Sequence, residues 1–286
     1  MLTIIRSVLS AALVSFAVPA IAQDAPQRIV SIGGSLTEIV YALGQEERLI
    51  ARDTTSLFPS EALDLPDVGY MRALSPEGVL SVDPDMILTL EGAGPPEAVA
   101  VIKYASVPVV TVPESFDREG VLVKIDAVGK ALGIEDQAAE LAASVDADLR
   151  AAEEAAAAID ERAKVLFILS MEGGRVLASG TSTAADGMIE LAGGQNAITD
   201  YAGYKQLTDE AIVTAEPDVI LLMNRGSDDA PTSTDLSSQP ALAVTPAAQN
   251  GRIILIEGNY VLGFGPRTGA AARELASEFY GNTATD

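Results

Sequence analysis

The sequence predicts an α/β protein of two pseudo-symmetric lobes, each built on a parallel-type central sheet, joined by one long α-helix and facing each other across a ligand cleft. Three observations point there. Short apolar runs alternate with capped amphipathic segments, the pattern of βαβ units. An 18-residue stretch of the first half recurs without gaps 133 positions later. Between the two copies lies a 28-residue stretch that contains neither Gly nor Pro.

The chain opens with MLTIIRSVLSAALVSFAVPAIA, residues 1–22: one Arg (Arg6), an apolar run from Val8 to Val18, then Ala20 and Ala22 at the −3 and −1 positions of a cleavage site. That is the layout of a secretory signal peptide, and the run is too short to span a bilayer. Its removal leaves 17 Lys+Arg against 41 Asp+Glu, a net charge of −24. The expected location is the periplasm of a Gram-negative cell, where a chain without Cys is at ease.

The first lobe, 23–134, begins with the strand Arg28-Ile29-Val30-Ser31-Ile32. A Gly33-Gly34 turn leads to Ser35-Leu36-Thr37-Glu38, which reads as a capping box starting a helix that runs to about Leu43 and stops at Gly44. Segments 49–51, 86–90 and 107–112 read as further strands. The Gly-Gly turn has neither the GxGxxG spacing nor the GK[ST] of a phosphate loop and carries no nucleotide reading.

The repeat sets ALSPEGVLSVDPDMILTL (73–90) on QLTDEAIVTAEPDVILLM (206–223), with identities at Leu74/Leu207, Glu77/Glu210, Pro84/Pro217, Asp85/Asp218, Ile87/Ile220 and Leu88/Leu221. Each copy reads as an N-capped helix, a Pro-Asp turn and a buried strand. Each also follows an earlier strand–helix unit, 29–44 in one half and 165–193 in the other. A second lobe over 163–286 follows.

The connector, 135–162, is almost entirely Ala, Glu, Asp, Leu and Arg. Leu141, Val145 and Leu149 recur at i+4 and mark a buried stripe on a mostly solvated helix. At ~1.5 Å per residue it spans roughly 42 Å, a stiff spacer that allows only small lobe motion.

Composition excludes several chemistries. With no His and no Cys there is no imidazole or thiolate metal site, no Ser-His-Asp triad and no disulfide. Manganese and zinc carriage are disfavoured for the same reason. A formal charge of −23 argues against a nucleic-acid surface. No GxSxG elbow or Walker sequence supports an enzyme.

The signal peptide, two lobes and connecting helix resemble the helical-backbone class of periplasmic substrate-binding proteins that serve ABC importers, the cobalamin, siderophore and haem group. VGYMRALSPEGVLSVDPDMIL (68–88), LASGTSTAADGMIELAGGQNAI (177–198) and GNYVLGFGPRT (258–268) are similar to the periplasmic haem-binding members. The resemblance implies a non-enzymatic carrier that captures ferric haem through a tyrosinate and delivers it to an ABC permease dimer, working as a monomer. A ferric-siderophore or corrinoid carrier on the same scaffold is the alternative.

By that resemblance the iron ligand is Tyr70, with Arg72 two residues on. The chemistry is coherent: ferric haem iron is a hard acid, and tyrosinate ligation of haem is a known solution. A free tyrosine phenol titrates near about pH 10, so binding at neutral pH draws on the metal and a nearby cation such as Arg72. Met171 is a candidate to line the cleft. Arg225, Lys205 and Arg267 are candidates for the haem propionates, since ligands collect at the carboxyl ends of parallel strands. Tyr260, Leu262 and Phe264 are candidates to pack on the porphyrin. The resemblance also assigns Glu77 and Glu210, one per repeat, to docking on the permease. Their positions equally suit the first turn of a helix.

Overall fold

The computed structural model describes residues 25–224 and 239–281, so the leader expected at 1–22 and Arg225 lie outside the described residues. The first half carries a four-stranded sheet of β1 (Ile29–Ile32), β2 (Leu49–Arg52), β3 (Met86–Leu90) and β4 (Val109–Val112) in the order β2-β1-β3-β4. Every pairing in it is parallel. Helices α1 (Gly34–Ala42), α2 (Pro76–Leu80), α3 (Pro96–Tyr104) and α4 (Arg118–Leu132) are interleaved with these strands. Ile29, Val30, Ile87 and Leu88 are consecutive within their strands and fully buried, as expected where a parallel sheet is covered on both faces.

The start of α1 differs from the capping box expected at Ser35. The N-cap is Gly33, at φ 121°, with no side-chain cap. A Cβ on Gly33 would sit 2.5 Å from Leu90 Cδ1, so both the turn and the packing require glycine. Ser35 therefore falls inside the helix, and the Glu38 carboxylate turns away to accept from Arg267.

The second half keeps a parallel-type central sheet and adds an antiparallel edge to it. Its strands are β5 (Lys164–Glu172), β6 (Arg175–Ser179), β7 (Gln195–Asn196), β8 (Tyr204–Gln206), β9 (Val219–Asn224) and β10 (Ile253–Glu257). They run in the order β10-β9-β5-β6-β8, with β7 also on β5. The β10, β9, β5 and β7 pairings are parallel, whereas β6 and β8 join antiparallel. The cause is Gly173-Gly174: both adopt positive φ (56° and 77°), the geometry that closes a tight hairpin, so β5 folds back on β6 before the helix begins. Helices α6 (Ala184–Leu191), α7 (Asp209–Ala215), α8 (Pro240–Ala243), α9 (Pro246–Gln249), α10 (Gly258–Leu262) and α11 (Thr268–Tyr280) belong to this half.

The repeat is visible in detail. Ser75 Oγ caps α2 by accepting from Gly78 N, and Thr208 Oγ1 caps α7 by accepting from Ala211 N. Asp83 and Glu216, equivalent positions, both take the left-handed conformation (φ 55° and 43°) before the Pro-Asp turn. Asp85 then accepts from the backbone N–H groups of Gln27 and Arg28, as Asp218 does from Lys164. The strands that follow join in matching register, Met86 on Ile29 and Val219 on Val165.

Helix α5 (Glu135–Ala157, 23 residues) crosses from one half to the other and ends five residues before 162. That is about 34 Å at ~1.5 Å per residue. Val145 and Leu149 are buried and Leu141 half-buried, along the expected stripe. Arg118 of α4 reaches Asp146 and Glu153, and Arg273 of α11 reaches Asp148, so both halves are tied to α5. One hydrophobic cluster continues from β1 and α1 through α4 and α5 to α6 and α11.

Candidate functional site

A cavity of about 700 Å³ lies between the halves, where the strands' carboxyl ends converge. Gly34, Thr55, Leu90 and Glu114 come from the ends of β1 to β4. Leu169, Met223 and Gly258 come from β5, β9 and the end of β10.

Tyr70 and Arg72 are on its wall. They project from the loop between β2 and α2, which is held from beneath: Val68, Met71 and Leu74 are buried, while Tyr70 is 46% exposed and Arg72 exposed. The backbone is pinned as well. Tyr70 O accepts from Ala73 N, Met71 O from Gly94 N, and Leu74 N donates to Gly94 O, each at 2.8 Å. The phenol is thus reachable on a fixed turn.

Across from them stands Tyr204 of β8, absent from the sequence reading. Burial pushes its hydroxyl up, while contacts to Thr183, Ala185 and Ser179 and the Arg72 charge act in the opposite sense. Its ring meets Phe167 edge-on at 6.4 Å. Leu57, Phe58, Phe116 and Leu262 add apolar wall, and Leu57 and Phe58 are exposed at 42% and 43%, an uncovered apolar lip beside Tyr70.

Two ion pairs border the cavity. Glu38 accepts from the Arg267 backbone N–H at 3.1 Å and from its guanidinium at 2.9 Å. Glu114 pairs with Lys124, a lysine buried completely, whose pKa is pulled down by that burial against the opposing pull of Glu114.

Four candidates lie off the cavity wall, each for a local reason. The β5–β6 register shifts between Ile168 and Ser170. Leu169 keeps the cavity face, and Met171 packs instead with the Leu166 and Ile168 cluster on the sheet's other side. Lys205 follows Tyr204 in a strand, and neighbours in a strand point to opposite faces; its ammonium sits over Tyr201, 4.9 Å from the ring centroid. Tyr260 turns to α11, where its hydroxyl bonds Glu274 at 3.0 Å and burial with that carboxylate lifts its pKa to about 12. Phe264, at φ 48°, is fully buried and meets Phe116 edge-on at 5.4 Å, so its ring is core. Leu262 and Arg267 of the same segment do reach the cavity. Glu77 and Glu210 are exposed in the first turns of α2 and α7.

A profile of the periplasmic binding protein family matches residues 29–260. The chain belongs to that family. Its members are substrate-binding transport proteins that work outside the cytoplasm, not enzymes. Among solved structures, the chain is similar to the periplasmic heme-binding protein BhuT in complex with two hemes: TM-score 0.83, 40% identity, over 88% of this chain and 97% of that one. It is also similar to the periplasmic heme-binding protein RhuT from Roseiflexus sp. RS-1 in apo form: TM-score 0.84, 38% identity, over 89% and 98%. The ABC transporter substrate-binding lipoprotein YvrC of Bacillus subtilis (strain 168) is 30% identical over 90% of this chain and 81% of its own length.

Proposed function

We propose that this periplasmic binding protein captures ferric haem between its halves through the Tyr70 phenolate and delivers it, as a monomer in the periplasm, to the permease dimer of an ABC importer. The observation that carries this reading is a reachable phenol on a braced loop at the wall of an inter-lobe cavity, with Arg72 beside it. At about 700 Å³ the cavity is within the size range of small-molecule sites. Leu57, Phe58, Phe116 and Leu262 offer apolar contact to the porphyrin faces. In a chain without His or Cys, a phenolate is the strongest available donor to ferric iron. Arg72, on the same cavity wall, is the cation this reading assigns to the iron-bound phenolate. Glu77 and Glu210, one exposed carboxylate on each repeat, suit a two-fold partner carrying Arg.

Titration with hemin, followed by visible absorption, tests the reading. The wild type is expected to give a tyrosinate–ferric haem spectrum. Tyr70→Ala is expected to abolish it, and Arg72→Ala to weaken binding by about tenfold, as loss of a contact to a metal ligand does. Equal losses in the two variants would remove Tyr70 as ligand. Uptake of cyanocobalamin or a ferric siderophore with none of hemin would reassign the cargo.

A further inference from the structure

Ser35 Oγ and Arg267 Nε are the buried side-chain polar atoms that have no hydrogen-bond partner among the described residues. Both residues line the same cavity. Ser35 is 3% exposed, so water does not readily substitute for a partner. Buried donors are matched as a rule, and an unmatched pair on a cavity wall points to a ligand atom that completes them.

The two are brought together by Glu38. Ser35 precedes Glu38 by three residues on α1, hence on the same helical face. Glu38 in turn holds Arg267 by its backbone N–H and by its guanidinium Nη2. The flat faces of the guanidinium are covered, by Phe58 at 3.5 Å and by Tyr260 at 4.8 Å from carbon to ring centroid. Guanidinium donors lie in the plane between such faces, so Nε–H is left directed along that plane.

Charge and chemistry fix the class of ligand. Nε can only donate, and the hydroxyl of Ser35 on the same cavity wall donates as readily, so both call for acceptor oxygens. Ser35 lies in the first turn of α1, a nine-residue helix with no acidic residue in that turn and no capping side chain, where the helix dipole favours negative charge. The neighbouring Asp53 carboxylate is already occupied by Gly33 N, Thr55 N and the hydroxyls of Thr55 and Ser56. A single guanidinium, already shared with Glu38, suits a carboxylate rather than a doubly charged phosphate.

We propose that Ser35 Oγ and Arg267 Nε form a carboxylate subsite of the inter-lobe cavity, one oxygen to each donor. The identity of that carboxylate rests on the haem reading, in which it is one propionate of the porphyrin. The subsite gives the cargo a polar end at α1, while Tyr70 takes its iron.

The experiment compares hemin with ferric protoporphyrin IX dimethyl ester, whose propionates are masked, by absorption titration of the full mature chain. The wild type is expected to prefer hemin by about tenfold or more, the scale of a charge-assisted hydrogen bond. In Ser35→Ala and in Arg267→Lys, which keeps the charge and loses Nε, that preference is expected to narrow to about threefold or less, with the tyrosinate spectrum unchanged. Ser35→Ala carries the test if the lysine variant fails to fold. Equal wild-type affinity for acid and ester, or a preference that survives both substitutions, overturns the subsite while leaving haem as cargo. Failure to bind hemin in any form removes the haem reading, and this subsite with it.

Discussion

Lys124 Nζ donates to the carbonyl oxygen of Phe264 at 3.2 Å, so a buried ammonium on α4 in the first half holds the C-terminal segment of the second. The same ammonium pairs with Glu114 at the cavity border. The carbonyl it holds belongs to a residue in the left-handed conformation, immediately before the Gly265 that packs against Glu38. The contact ties the two halves together in the buried interior behind the cavity.

Removing one partner of a buried pair leaves the other charge uncompensated, at a cost of roughly 3 kcal/mol. Lys124→Met is therefore expected to lower unfolding free energy by about that amount in urea titration. The double variant Lys124→Met/Glu114→Gln should recover part of it. A single variant as stable as wild type would show that the pair contributes nothing.

Gly187 of α6 lies against the first half: a Cβ there would be 2.1 Å from the Phe116 carbonyl oxygen. Gly187→Ala must push α6 from a backbone segment that carries a cavity aromatic. The expected result is a loss of about 1–3 kcal/mol, the usual penalty for overpacking, together with weaker hemin binding. An unchanged melting temperature would mean that the two segments are less closely packed than the structure has them.

Asp146 joins α4 to α5 through Arg118 and also bonds Arg150, and these two guanidinium contacts hold its carboxyl below the usual 3.8. A depressed folded-state pKa contributes stability above the unfolded value that is lost as pH falls through the folded one. Wild type should therefore melt above Asp146→Asn at pH 6 to 7, and the gap should close below about pH 3.8. A gap that persists in acid would place the asparagine's cost in packing.

Glu77 and Glu210 lie in the first turns of α2 and α7 and are not among the residues of the cavity wall. Reversing both charges, Glu77→Lys/Glu210→Lys, should leave hemin affinity within about twofold and impair uptake by cells that rely on this carrier. Growth on hemin equal to wild type would remove the docking role.

Much of this architecture was legible in the chain because it is written in local pattern. The apolar runs at 29–32 and 86–90 specify strands wherever they fold. The Pro-Asp turns at 84–85 and 217–218 carry their own hydrogen-bonding carboxylate, so the two βαβ fragments could be matched before any contact was known. Tyr70 and Arg72 were legible through resemblance, and the turn that presents them is a short-range feature. Two candidates that the structure places off the cavity wall share one cause. Lys205 was read where Tyr204 faces the cavity, one residue away, and Met171 where Leu169 does. In a strand the facing side alternates, so a single bulge or a one-residue error exchanges the two faces.

By itself, then, the sequence determined two matched halves and a stiff helix between them, since each depends on neighbours close in the chain. Only the tertiary structure decided which side chains share the cavity. The Glu38–Arg267 clip joins residues 229 positions apart, and the β5–β6 hairpin sends Met171 to the far face. Such choices follow from register and from long-range packing, which no local run of residues encodes.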